Sequence, residues 1–284
     1  MREKSFFKRM DDISELPTIP AIYTKVSQLI DSSNSQAHQI AKIIEHDPAI
    51  ATKILKLVNS PFFGFNRDVS NLKDAIVLLG FNTVRNIILS ISVIDTFVAT
   101  HESYFDLPAF WKHSIAVGLV ARYMAEELNT ALPDDAFSAG ILHDFGKLVL
   151  DRYFNQEVAT IMAFIKKENC RLLEGEQQVL GTDHAGVGEY LAERWNLPAV
   201  LVEAIALHHT PAIHRNNPDV VSLIHIANIQ VQKAQIGSSG NSIIADIDAA
   251  ALNALNMNDV ALQELSAGIE GALDQAEDVF SLLS

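Results

Sequence analysis

At 284 residues, 49% hydrophobic and 20% charged, the chain can form one large core or two packed lobes and has the composition of a soluble globular protein. A formal net charge of −14 argues against a nucleic-acid footprint and an anionic membrane surface, since both need clustered Lys and Arg. The single cysteine, Cys170, excludes an intrachain disulfide and fits a reducing compartment; with no signal peptide and no apolar run of the roughly 20 residues a span needs, a cytoplasmic protein is expected.

Helical periodicity dominates and nothing reads as a sheet, so the expected fold class is all-α. Leu16-Pro17-Thr18-Ile19-Pro20 is a rigid lead-in to a helix at about 21–31. A polar break at 32–35 precedes a helix carrying Ile40, Ile43 and Ile44. Asp47 caps the next one, with Pro48 at its first position and Ile50, Ile54, Leu57 and Val58 as its stripe. These two short helices resemble a helix-turn-helix in spacing, but the later one offers only Lys53 and Lys56, so packing is the expected role. The aromatic loop Phe62-Phe63-Gly64-Phe65 is expected to plug a core. Ser70 or Asn71 starts a helix that Gly80 ends, and 83–97 is apolar enough to be buried. A lobe boundary is expected at 101–108.

In the second half, a helix at 107–128 puts His113 in line with Val117, Val120 and Met124, facing inward. The segment 136–150 reads as one helix containing His143 and Asp144, with Phe137, Gly140, Ile141 and Leu148 on the aspartate's stripe. A carboxylate there is costly unless paired, hydrogen-bonded or bound to a cation. A further helix spans 151–169, and Thr182 is expected to cap one reaching Trp195, with His184 in its first turn. Pro198 opens a helix on which Leu201, Ile205 and His208 share a face, with His209 one step round. A helix at 219–235 sets His225 and Asn228 three residues apart. Gly237-Ser238-Ser239-Gly240-Asn241-Ser242 reads as a flexible linker, followed by an acidic, Ala-rich pair of helices.

One inward histidine usually means a ring bonded to a backbone carbonyl. Five (His113, His143, His184, His208 and His209) on inward or near-inward stripes or at helix ends, with an inward Asp144, are harder to attribute to chance and leave an ion site open beside that reading. Imidazole with carboxylate suits Zn, Fe, Mn or Ni better than Ca or Mg. No local spacing matches a zinc finger or an HExxH helix, so distant helices must build the site. Lys147 reads first as a solvated lysine at a helix end, and alternatively as a cation that neutralises a bound phosphate.

His113, the pair His143-Asp144 with Gly146-Lys147 after it, His184 and His208-His209 resemble the HD superfamily. The closer resemblance, over about residues 16–235, is to the HDOD family, the HD-related output domain of bacterial signalling proteins. It is carried by Leu16–Pro20, by Glu45-His46-Asp47-Pro48-Ala49-Ile50, by 53–64 and by 75–80. The resemblance implies a multi-helix bundle in two packed lobes: an N-terminal lobe at 1–105, an HD-like lobe at 106–236 holding the metal pocket, and an acidic C-terminal appendage at 237–284.

It also implies metal ligation by His113, His143 and Asp144, with His184, His208 and His209 where two-metal relatives such as the HD-GYP phosphodiesterases add histidines. The late aspartate of catalytic HD phosphohydrolases is replaced here by Asn228, a weak ligand, with His225 one turn back as the possible substitute. No Glu follows the double histidine, and the Gly-Tyr-Pro element is missing. The expected function is therefore a signalling output module with a degenerate HD-type pocket. It would take a divalent transition metal or none, and bind a signalling protein or a small phosphorylated ligand without turnover. A homodimer is possible, and nucleic acid and membrane are not expected partners. The alternative is an active metal-dependent phosphohydrolase, with Asp144 and Lys147 as its catalytic residues.

Overall fold

A computed structural model describes residues 2–65, 67–97, 103–130, 132–213, 215–241 and 243–283. Of these, 71% are helical and none lies in a strand, so the fold is all-α. The chain divides into two compact units, Thr18–Val98 with Asp274–Ser284, and Met1–Pro17 with Ala99–Leu273. This differs from a succession of three segments because both chain ends fold back. His101 and Glu102, within the expected boundary, lie outside the described residues.

Helix α1 (Arg2–Asp11), not anticipated from periodicity, buries Phe6 and Met10. After the proline lead-in come α2 (Ala21–Ile30), α3 (Ala37–Ile44), α4 (Pro48–Val58), α5 (Leu72–Leu79) and α6 (Phe81–Thr96). Their ends follow local chemistry. The Asp47 carboxylate accepts the Ile50 N–H at 3.1 Å, the Asn71 side chain accepts that of Asp74 at 2.9 Å, and Gly80 stops α5 at a φ of +83°. Ile40, Ile44, Ile50, Ile54 and Leu57 are all buried, so α3 and α4 present their apolar stripes to a core. The aromatic loop departs from expectation: Phe62 and Phe63 are half-buried and Phe65 is exposed.

The other unit holds α1 together with α7 (Leu107–Glu127), α8 (Pro133–Leu142), α9 (Phe145–Tyr153), α10 (Asn155–Glu168), α11 (Leu172–Leu180), α12 (His184–Arg194), α13 (Ala199–Leu207) and α14 (Pro218–Lys233), then α15 (Ala249–Ala254), α16 (Asp259–Glu264) and α17 (Ser266–Asp274). Helices α7 and α8 meet almost backbone to backbone. A Cβ on Gly118 would overlap the Phe137 carbonyl, and one on Gly140 would overlap Gly118. The C-terminal segment thus forms four short helices rather than two. The last, α18 (Ala276–Leu283), packs on α4, where Lys53 Nζ donates to the Leu283 carbonyl at 2.8 Å. No single helix among the described residues is long and apolar enough to cross a membrane.

The segment expected to be a flexible linker is packed. Gly237, at φ +63°, has no room for a Cβ against the Ala109 carbonyl and the His113 amide. Ser238 N–H donates to Ala109 O at 2.9 Å, and Ser239 is buried. Its glycines serve close approach rather than mobility. Ser242 lies outside the described residues.

Candidate metal centre

The helix expected to run through His143 and Asp144 is broken there. Helix α8 ends at Leu142, α9 begins at Phe145, and the pair forms the turn between them. Asp144 occupies the N-cap position of α9 at φ −102°, ψ 0°, yet its carboxylate caps no N–H. It turns instead into a cluster of rings. Gly146 makes this possible, because a Cβ there would overlap the His184 carbonyl; without one, α9 lies directly on the first turn of α12. That turn is capped by Asp183, which accepts the Gly186 N–H at 3.0 Å, and not by Thr182 as expected.

The structure brings all six predicted side chains together. One nitrogen or oxygen from each of Asp144, His184, His208 and His209 lies within 4.8 Å of the others, and His113, His143 and Asp144 satisfy the same condition. Asp144 is common to both groups. Its Oδ1 is 3.2 Å from His184 Nε2 and 3.6 Å from His208 Nε2, while its Oδ2 is 3.3 Å from His143 Nε2. All of these residues are buried except His209, which is half-buried.

The second nitrogen of each ring decides what the first can do. His143 Nδ1 donates to Gly140 O at 2.7 Å, and His208 Nδ1 donates to Ile205 O at 2.8 Å. Each bond holds a proton on Nδ1, and in the neutral ring that leaves a lone pair on Nε2. Those two Nε2 atoms and Asp144 Oδ1 are buried without a hydrogen-bond partner. Orphaned acceptors on both sides of one buried carboxylate are costly unless a cation satisfies them. The donor set therefore fits a divalent transition metal by its chemistry.

His184 is oriented by Glu176, whose Oε2 accepts from both its backbone N–H at 3.1 Å and its Nδ1 at 2.6 Å. Burial opposes protonation of that ring, but Glu176 outweighs it, and the His184 pKa rises to about 9. Its Nε2 hydrogen-bonds His209 Nε2 at 2.9 Å. Burial lowers His113 to about 3 and His208 to about 4, and pushes His209 well below its ordinary value. Asp144 is also buried, but His143 and Lys147 overcome that penalty and hold its carboxyl well below the usual range.

Two alternatives weighed from sequence are settled by geometry. Lys147 is not solvated: it is fully buried, donating to Asp144 Oδ2 at 2.6 Å and to the Ser239 carbonyl at 3.1 Å. His225 does not replace the missing aspartate, because both its nitrogens are engaged. Its Nδ1 donates to His208 O at 2.8 Å, and its Nε2 accepts the Asp248 N–H at 3.0 Å. Asn228 Oδ1 accepts from His113 Nε2 at 3.1 Å and from Gln232 Nε2 at 2.6 Å.

Glu176, Gln232 and Ser239 were missed from sequence. Glu176 was legible in principle, since it shares the buried stripe of α11 with Leu172 and Leu180. A cleft of about 380 Å³ opens beside the rings, lined by His208, His209, Asn228, Gln232, Asn241 and Arg171.

Four helices or helix ends converge imidazoles on one carboxylate, in a body that is all-helical among the described residues, and make a candidate metal centre. The chain belongs to the HDOD domain family, whose model matches residues 16–211. It is similar to an uncharacterized protein of Treponema pallidum, with 25% identity over 224 residues, 78% of this chain and 43% of that one. The chain thus spans less than half the length of that curated relative. Among solved structures, an HDOD domain protein of unknown function from Geobacter sulfurreducens superposes with a TM-score of 0.82 at 22% identity, covering 98% of each chain. A candidate phosphohydrolase from Shewanella amazonensis gives a TM-score of 0.78 at 24% identity, covering 99% of each chain. At these identities the structural likeness speaks to the fold.

Proposed function

We propose that the protein is a signalling output module, in which a remodelled HD-type pocket binds a small phosphorylated ligand or a signalling partner without turnover. The observation that carries this reading is the His113–Asn228–Gln232 chain of hydrogen bonds. A ring nitrogen and a carboxamide that would face an ion in a hydrolytic site are bonded to each other here. A neutral amide also supplies no charge to hold an ion against phosphate. The residues that would hold a divalent ion are Asp144 with His184, His208 and His209. When bound, such an ion supplies Lewis acidity toward a phosphoryl oxygen. The chain's own residues do the rest. Glu176 fixes the His184 ring, Lys147 holds Asp144 Oδ2, and the amide-lined cleft offers Asn228, Gln232 and Asn241 to a polar ligand, with Arg171 at its edge.

A second reading, a metal-dependent phosphohydrolase, is favoured by the intact Asp144–Lys147 pair and the three orphaned acceptors. The two readings separate in one experiment. Purified protein is assayed for metal and then screened for phosphatase and phosphodiesterase turnover with added Mn and Fe. Metal with no turnover supports the module. Turnover that is lost in a folded Asp144→Ala variant establishes the enzyme and refutes the first reading.

A further inference from the structure

We propose that the pocket binds a single divalent ion, on the Asp144 Oδ1 side among His184, His208 and His209, and that the Lys147 ammonium stands in for a second ion on the Oδ2 side beside His113 and His143.

The two donor groups share only one acid. Asp144 offers one oxygen to each, and these two oxygens are in different circumstances. Oδ1 has no hydrogen-bond partner, with His184 Nε2 at 3.2 Å and His208 Nε2 at 3.6 Å, the latter too long for a bond and itself orphaned. Oδ2 already receives the Lys147 ammonium at 2.6 Å. That ammonium is fully buried and fastened on its other side by the Ser239 carbonyl at 3.1 Å. A lysine in that position is not free to swing aside, because the segment carrying Ser239 is itself pinned by the Ser238 bond to Ala109 and by the tight fit of Gly237 against His113.

His113 reinforces the asymmetry. Its Nε2 faces a carboxamide oxygen at 3.1 Å, so that nitrogen carries the proton and has no lone pair for an ion. Asn228 Oδ1 is committed to Gln232 as well. On the Oδ2 side, a second ion would therefore find one imidazole engaged, one carboxylate oxygen engaged and a buried ammonium as a neighbour. Charge points the same way. The buried charged carboxylates touching the rings are Asp144 and Glu176, against one buried lysine. One dication leaves a small positive excess that a bound anion can balance, whereas two would concentrate positive charge in a water-poor space. His143 belongs to the Oδ2 side, its Nε2 3.3 Å from Asp144 Oδ2 and without a hydrogen-bond partner, so it is an acceptor still open there, and the Lys147 ammonium sits on the same carboxylate oxygen.

The test uses the full chain, stripped with chelator and dialysed to equilibrium against Mn²⁺ or Co²⁺. Elemental analysis should give one ion per chain, and anomalous scattering from a crystal should place it within ligand distance of His184 and His208, remote from His113. The Lys147→Met, Asn228→Asp double variant, which removes the ammonium and supplies a late carboxylate, should bind two. Wild-type protein that takes two ions or none, or an anomalous peak beside His113, would overturn the inference. A folded double variant that still takes one ion would overturn the role of Lys147. If the double variant does not fold, the wild-type stoichiometry and peak position decide alone. Turnover, which tests the proposed function, enters none of these measurements, so either idea can fail without the other.

Discussion

Removing the ion and lowering the pH should unfold the protein through the same histidines that make the pocket. Burial, with the field of His143, lowers the His113 pKa to about 3; burial, against the pull of Asp144, lowers that of His208 to about 4. Both rings titrate near 6.5 when unfolded. A depressed histidine contributes nothing above that value and destabilises increasingly below it, because the unfolded chain takes up a proton that the folded one refuses. Well below 6.5 each ring costs about 1.4 kcal/mol per pH unit, and because half the unfolded rings are already protonated at 6.5 the pair should lose about 3 kcal/mol between pH 6.5 and pH 5. His209 and His225 shift in the same direction and steepen the slope. Asp144, held well below its ordinary value, titrates below this window. On the alkaline side His184 acts alone and with the opposite sign. Its pKa near 9 gives stability that is complete below 6.5 and is lost as the pH rises, about 2 kcal/mol of it by pH 8. Urea denaturation in chelator, followed by circular dichroism at pH 5, 6.5 and 8, should show a maximum near 6.5. His208→Gln should reduce the acid slope by about 1.4 kcal/mol per unit. A stability unchanged between pH 5 and 6.5, or an acid slope identical in that variant, would refute the assignment of buried neutral rings.

Three further outcomes follow from the same contacts. Because an ion must displace a proton from His184, affinity for Mn²⁺ should tighten about tenfold per pH unit between pH 7 and 9, measurable by competition with a chelator; Glu176→Gln should flatten that dependence by releasing the ring from its carboxylate. Asp144→Ala leaves Lys147 buried without its counter-ion and should cost about 3–5 kcal/mol, and adding Lys147→Met should recover part of the loss in a double-mutant cycle. Gly237→Ala forces a Cβ into Ala109 and His113 at a left-handed φ and should cost about 2 kcal/mol or more, seen as a lowered urea midpoint with an unchanged slope.

Much of the fold was legible because helix ends announce themselves locally. Asp47 before Pro48, Asn71 before an apolar run and Gly80 after it are chemistry within four residues, and the structure uses each one. The inward stripe of α7 was equally plain, since His113 sits among Val117, Val120 and Met124, all buried. The break between α8 and α9 was not, because apolar spacing continues across it. What stops the helix is Gly146 against the His184 carbonyl, a contact thirty-eight residues distant in the chain. Lys147 misled for a related reason. Sequence offers a lysine at a helix end, and water is its default neighbour; only the return of Ser239 to the same spot supplies the carbonyl that keeps it dry. The linker misled by composition, since glycine and serine serve both mobility and close approach and only the packing partner tells which. The substitution that matters most, Asn228, was visible as a missing charge, but its consequence was not. A carboxylate in its place would compete for an ion, whereas the amide oxygen accepts the His113 proton and a bond from Gln232, closing one half of the pocket. With Asn228, Gln232 and Lys147 occupying that half, the open pair on the other side is Asp144 Oδ1 and His208 Nε2, so whatever the pocket binds should engage the His208–His209 end of the cleft.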